Sequence, residues 1–307
     1  MHYTEKLAAY VNVLSRVMTI SDVAEVAGLS WDTVKGIVKQ RLQKDYGHIP
    51  YQHLKHLSID EIYVGKRKKY YTLVLDLASG RIVWVSRGRG QAALQGFWRR
   101  LRQSKAKLEA VAMDMSGAYW AAVLAAAPKA KVVFDRFHII KLMNEKIDDL
   151  RRALVREAEG PLKLAIKGTR YLLLMRPENL QNEQLPKLEK ALQLNEPLLL
   201  AWYLKEELSL LWEQSSAKAM ERFLRQWCER ALATGLKPLG QMAKTLLTHW
   251  TGILNWWEYP INNGKMEGTN NKIKTLTRQA YGYRDEDFWF MGKVCSWSLE
   301  LLSTRRL

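Results

Sequence analysis

Residues 56–86 read HLSIDEIYVGKRKKYYTLVLDLASGRIVWVS, and this stretch decides the fold. Apolar and β-branched residues fill three runs, His56–Val64, Tyr70–Leu77 and Arg81–Ser86, with Ala78, Ser79 and Gly80 as a tight turn between the second and third. Such runs, joined by short connections, predict an antiparallel meander. Downstream the period alternates: Gln91–Gln103 is an amphipathic helix, Leu108–Met113 a buried strand, Ala118–Ala127 a helix closed by Pro128, and Ala130–Phe134 a further strand. The order β-β-β-α-β-α-β predicts an α/β, ribonuclease-H-like core: three meander strands, then two parallel strands reached through helices.

Working outward, the chain beyond Asp135 turns helical for more than a hundred residues. This reads as a large all-helical insertion. Trp202, Trp212, Trp227, Trp250, Trp256 and Trp257 recur there near helical periods, which favours core packing over a platform for stacked bases. Asn262-Asn263-Gly264 is the turn that ends it, and a last helical stretch begins near Lys265. At the other end, Ala24, Gly28, Val34 and Ile37 occupy the fifth, ninth, fifteenth and eighteenth positions counted from Ile20, the spacing of a helix-turn-helix. Ala24 lets two helices cross closely, Gly28 accepts the turn, and Ser30 caps the second helix. Ser30, Trp31, Asp32, Thr33, Lys35 and Lys39 then face a DNA major groove. The expected organisation is residues 1–47 as a helix-turn-helix domain, 48–150 as the first part of the core, 151–260 as the insertion, and 261–307 as the core's C-terminal part.

Charge points the same way. The 307 residues carry 48 Lys and Arg against 31 Asp and Glu, a net +17, which calls for a polyanionic partner. Residues 51–100 hold ten basic and three acidic side chains, among them Lys66, Arg67, Lys68 and Lys69, which are expected to grip the DNA backbone. The longest apolar runs, Ala121–Pro128 and Leu198–Tyr203, fall short of the roughly 18 residues that cross a bilayer, and no basic-then-apolar leader opens the chain. A cytoplasmic, nucleoid-associated protein with no membrane partner is expected. Cys228 and Cys295 stand too far apart for a cysteine zinc cluster, the six histidines offer no zinc spacing, and no zinc is expected in this chain.

Three acids occupy positions that two-metal phosphoryl transfer would use. Asp60 interrupts the strand-forming run Leu57–Val64, where a buried carboxylate is costly unless a cation meets it. Asp114 closes the strand Val111-Ala112-Met113, and Glu267 opens the helix that follows Gly264. Such a trio suits two Mg²⁺ or Mn²⁺ ions, one activating the attacking oxygen and one stabilising the leaving oxygen. Asn271 and Lys274 share the helical face of Glu267, with Asn270 and Lys272 beside them as phosphate contacts, while Ile273 and Leu276 turn to the core. Glu61, Asp76 and Asp135 compete for the acidic roles. Asp135, with His138 three residues on, is the strongest rival and is placed at the site's edge.

Asp114-Met115-Ser116-Gly117-Ala118-Tyr119, Asp135-Arg136-Phe137-His138, and Glu267-Gly268-Thr269-Asn270-Asn271-Lys272-Ile273-Lys274 with Ala280-Tyr281-Gly282-Tyr283 closely resemble the DDE transposases of the bacterial ISL-three insertion-sequence family. The resemblance runs from the helix-turn-helix to near the C-terminus. It implies that Asp60, Asp114 and Glu267 are the catalytic triad, that the partner is double-stranded DNA at transposon ends and target sites, and that the protein works on DNA as a homodimer or higher oligomer. Members of the family usually carry a cysteine zinc-binding region before the helix-turn-helix, so the chain resembles a shortened or divergent member. The alternatives are a regulator that keeps the fold but no longer transposes, and a structure-selective nuclease on the same fold.

Overall fold

A computed structural model describes residues 3–46, 49–64 and 69–279. The chain divides into two compact units: residues up to 111, 116–130 and the described residues from 263 onward form one, and 112–115 with 131–262 form the other.

The first unit opens with three helices, α1 (Glu5–Leu14), α2 (Ile20–Ala27) and α3 (Trp31–Tyr46). They share a core of Val11, Val23, Val34 and Ile37, separate from that of the sheet. Thr19 and Asp22 close a reciprocal capping box at the start of α2. Gly28 ends α2 at φ 62°, a left-handed conformation that glycine adopts without a Cβ penalty. Ser30 Oγ then accepts from the Thr33 amide at 3.2 Å and caps α3, as its residue type predicts.

The meander follows as β1 (His56–Val64), β2 (Lys69–Asp76) and β3 (Ile82–Arg87), each within a residue or so of its expected limits. Both pairings are antiparallel, and the second carries an irregularity between Val74 and Leu75. After them come α4 (Gln91–Ser104), β4 (Ala110–Met113), α5 (Gly117–Ala126) and β5 (Lys131–Phe134). The five strands form one sheet in the order β3-β2-β1-β4-β5. The architecture is therefore mixed α/β around a five-stranded sheet, with helices in the majority.

Asp76 ends β2 by bending back. Its carboxylate accepts from the Ala78 amide at 3.3 Å, from the Ser79 amide at 3.0 Å and from the Ser79 hydroxyl. A rival acid of the sequence reading is thus spent on the turn.

The second unit contains α6 (Arg136–Glu157), α7 (Gly160–Ile166), α8 (Arg170–Leu174), α9 (Leu185–Gln193), α10 (Glu196–Ser209), α11 (Ala217–Ala233), α12 (Lys237–Thr248) and α13 (Trp250–Leu254). One correction concerns the boundary expected at residue 150, since α6 runs through it unbroken for 22 residues. Nothing in Asp148–Arg152 stops a helix, and the fold continues it to Ala158. The tryptophans divide. Trp227 and Trp212 are core, Trp202, Trp250 and Trp256 are half-buried, and Trp257 is exposed. Gly252 of α13 sits against β5 so closely that a Cβ there would lie 2.4 Å from the Phe134 ring. The last helix, α14 (Gly264–Gln279), returns to the first unit and packs on β1.

Candidate catalytic and nucleic-acid-binding residues

Alternation along β1 puts Ser58, Asp60 and Ile62 on one face of the sheet and Leu57, Ile59 and Glu61 on the other. The first face receives α14, which turns Met266, Asn270 and Ile273 inward at i, i+4 and i+7. Ile62, Met266 and Ile273 belong to one apolar cluster with Tyr71, Leu73 and Leu75. Two polar bonds fix the helix on this strand. Ser58 Oγ donates to Asn263 Oδ1 at 2.9 Å, and Asn270 Nδ2 donates to Asp60 Oδ2 at 2.8 Å. The other Asp60 oxygen accepts from the Glu61 amide at 2.8 Å. Farther along, the Lys265 ammonium donates to Leu77 O at 2.6 Å.

This arrangement corrects the expected place of Asn270. Expected among the phosphate contacts, Asn270 is only 5% exposed and its Nδ2 is engaged with Asp60, because its i+4 relation to Met266 turns it to the sheet. Glu267 stands in the first turn of α14, exposed, with exposed Asn271 and Lys274 at i+4 and i+7 and half-buried Lys272 near them. The apolar spacing 266-270-273 was the signal that would have singled out Asn270.

In the second unit, Asp114 directly follows the last residue of β4 and is half-buried. The Asp135 amide donates to Met113 O at 2.9 Å, so Asp135 stands at the end of β5 beside the end of β4. Asp135 is 4% exposed and its side chain does not cap α6. His138 Nδ1 lies 3.8 Å from Asp135 Oδ2, beyond hydrogen-bond reach. Among the described residues no group of three or more His, Cys, Asp or Glu side chains forms a metal-holding cluster. Asp60, Asp114 and Glu267 each offer carboxylate oxygens, the donor type that hard divalent cations take.

On α3, exposed Trp31 stands beside half-buried Lys35, whose ammonium lies 5.1 Å from the centre of the indole ring. Lys39 continues this face at i+8, and Ser30 and Thr33 join their hydroxyls at 2.8 Å at its start. Lys69 begins β2. Lys66, Arg67 and Lys68, like the Ala280–Tyr283 motif, lie outside the described residues.

Comparison with known proteins supplies the class. A family described as "Transposase", the DDE transposases of the ISL3 type, matches residues 57–292. The chain is 33% identical over 292 residues to the transposase for insertion sequence element IS1001 of Bordetella parapertussis, covering 94% of this chain and 72% of that protein. It is 28% identical over 291 residues to the transposase for insertion sequence element IS1557 of Mycobacterium tuberculosis, covering 85% of this chain and 64% of the relative. A solved structure, the Drosophila P element transposase strand transfer complex, overlays with a TM-score of 0.47 at 10% identity, covering 97% of this chain and 92% of that one, a likeness too slight to bear on the fold. The chain belongs to the ISL3 family of DDE transposases.

Proposed function

We propose that this transposase cleaves DNA at transposon ends and joins the freed ends to a target, with Asp60, Asp114 and Glu267 as its metal-holding acids. The observation that carries this reading is the Asn270–Asp60 bond, which fastens the helix bearing Glu267 to the strand bearing Asp60. Sheet order adds support, because β4, whose last residue Met113 precedes Asp114, is the neighbour of β1. The core is read as ribonuclease-H-like, and α2 with α3 as a helix-turn-helix.

The chemistry is two in-line displacements at phosphorus. In the first, a water oxygen bonds to phosphorus and the bond to the 3′ oxygen breaks, leaving a 3′-hydroxyl and a 5′-phosphate. In the second, that hydroxyl attacks a target phosphodiester and displaces its 3′ oxygen. Divalent ions, when bound, supply Lewis acidity to the attacking and leaving oxygens. The protein's part is positioning and electrostatics. Asn270 orients Asp60. Asn271, Lys272 and Lys274 hold phosphate oxygens beside Glu267, and Asp135 with His138 lines the edge. The Trp31, Lys35 and Lys39 face of α3, helped by Lys66, Arg67, Lys68 and Lys69, binds the duplex. Two ends must be brought together, so a homodimer or higher oligomer on DNA in the bacterial cytoplasm is the working assembly.

The test is cleavage of labelled DNA carrying the flanking ends of the source element, in Mg²⁺ or Mn²⁺, with wild type and Glu267→Gln. Cleavage and strand transfer by wild type, lost in the variant with end binding retained, is the expected result. Binding without cleavage by wild type would overturn it in favour of a DNA-binding regulator. Cleavage without joining would make the protein a nuclease.

A further inference from the structure

A groove of about 340 Å³ lies between α4 and α5, within the first unit. It is on the other side of the sheet from α14. Thr72, which faces Glu61 across the β1–β2 pair, meets the Tyr119 hydroxyl of α5 at 2.9 Å, and Trp84 of β3 donates from its indole to Ala93 O of α4 at 2.9 Å. Asp60 points to the opposite face.

One side of the groove is a stripe along α4. Gln91, Gln95, Arg99 and Arg102 recur at i, i+4, i+8 and i+11, all exposed, while Ala93, Leu94, Phe97, Trp98 and Leu101 turn to the core. The other side is made by three alanines of α5. Their small side chains leave the helix backbone approachable. Neither guanidinium meets a carboxylate among the described residues. Trp98, another lining residue, is 5% exposed, and its indole N–H is buried with no acceptor. A buried donor without a partner asks for an acceptor.

Every polar side-chain group that lines the groove, except the carboxamide oxygens, is a donor, and two are cations with the fork geometry that suits phosphate. We propose that this groove is a second DNA-contacting surface, taking the phosphodiester backbone of a segment distinct from the one at the acids. The inference rests on the reading of the protein as a DNA transposase. Arg99 and Arg102 make a second copy of this chain, itself at net +17, a poorer occupant of this groove than a phosphodiester backbone.

The experiment follows binding of a labelled 30-base-pair duplex by anisotropy as salt is raised. The variants are Arg99→Gln with Arg102→Gln, Arg99→Lys with Arg102→Lys, and, as a matched charge control on α9, Lys187→Gln with Lys190→Gln. Removing two phosphate contacts lowers the slope of log K against log salt by about 1.8 and, relative to 1 M salt where the contacts contribute little, weakens binding roughly 60-fold near 0.1 M. The lysine variant retains the slope, since charge is kept, and the α9 control changes it by less than about 0.5. An unchanged slope in the Arg99/Arg102 glutamine variant, or an equal fall in the α9 control, overturns the proposal while leaving the catalytic reading intact. Failure of wild type to bind any duplex overturns both.

Discussion

Asp60 on β1 and Asp148 on α6 are acids held by hydrogen-bond donors of different kinds. Asp148, 3% exposed, accepts from Arg151 at 2.7 and 2.9 Å and from Arg152 at 2.9 Å through Nε, with Arg170 Nε 3.4 Å away. Burial pushes its carboxyl up, yet the hydrogen bonds and charges of Arg152 and Arg151 outweigh that and hold it below the usual carboxylate range. Asp60 accepts from the Asn270 carboxamide and from the Glu61 backbone amide, each at 2.8 Å, and these bonds set its orientation. A guanidinium-clamped acid is committed to stability. In the proposed function the second acid, oriented by amides, is one that holds a metal ion.

The contrast breaks most sharply on substitution. Asp60→Asn should lower cleavage at least a thousandfold, about 4 kcal/mol in the barrier, with little change in unfolding temperature. Asp148→Asn should do the reverse, reducing unfolding stability by about 3 kcal/mol while cleavage at low temperature persists. Urea unfolding and single-turnover cleavage on both variants decide it, and equal stability losses would erase the distinction.

Acid sharpens the same comparison by a smaller amount. Because the folded-state pKa of Asp148 is depressed, its contribution is fully present above the unfolded value of about 3.9 and is lost as pH falls through the folded value. The stability gap between wild type and Asp148→Asn should therefore be constant between pH 5 and 7 and close as pH is lowered through 4 toward 3. A gap that persists at low pH would show that Asp148 acts through packing rather than charge. The smallest effect is expected at the other acid's orienting partner. Asn270→Ala should slow cleavage about tenfold, roughly 1.4 kcal/mol, through kcat with DNA affinity unchanged, and Asn270→Asp should slow it further by like-charge repulsion. A loss of affinity instead would restore Asn270 to the phosphate contacts.

Much of this was legible along the chain. The strands at 56–64, 69–76 and 82–87 were readable because alternation and a turn of Ala78, Ser79 and Gly80 are local signals. Gly28 and Ser30 were readable because a left-handed turn and an exposed helix start need particular residue types. Asp76 was misread as a rival acid since its partners, Ala78 and Ser79, form a turn whose hydrogen bonds depend on side-chain rotation. The end expected at residue 150 was misplaced because α6 carries no capping or breaking residue there. Trp257 was assigned to a core it does not join, since helical spacing marks a face without saying what covers it.

The order of elements, the basic character, the family motifs and the residue types of the acids follow from the chain alone, because they depend on side-chain chemistry and on periods of a few residues. Only the tertiary structure decided which side of α14 meets the sheet, that Asn270 holds Asp60 across 210 positions of chain, and that Asp148 is saturated by arginines from two helices. Those contacts join residues remote in sequence, and their geometry exists only once apolar burial has brought the helices and strands together.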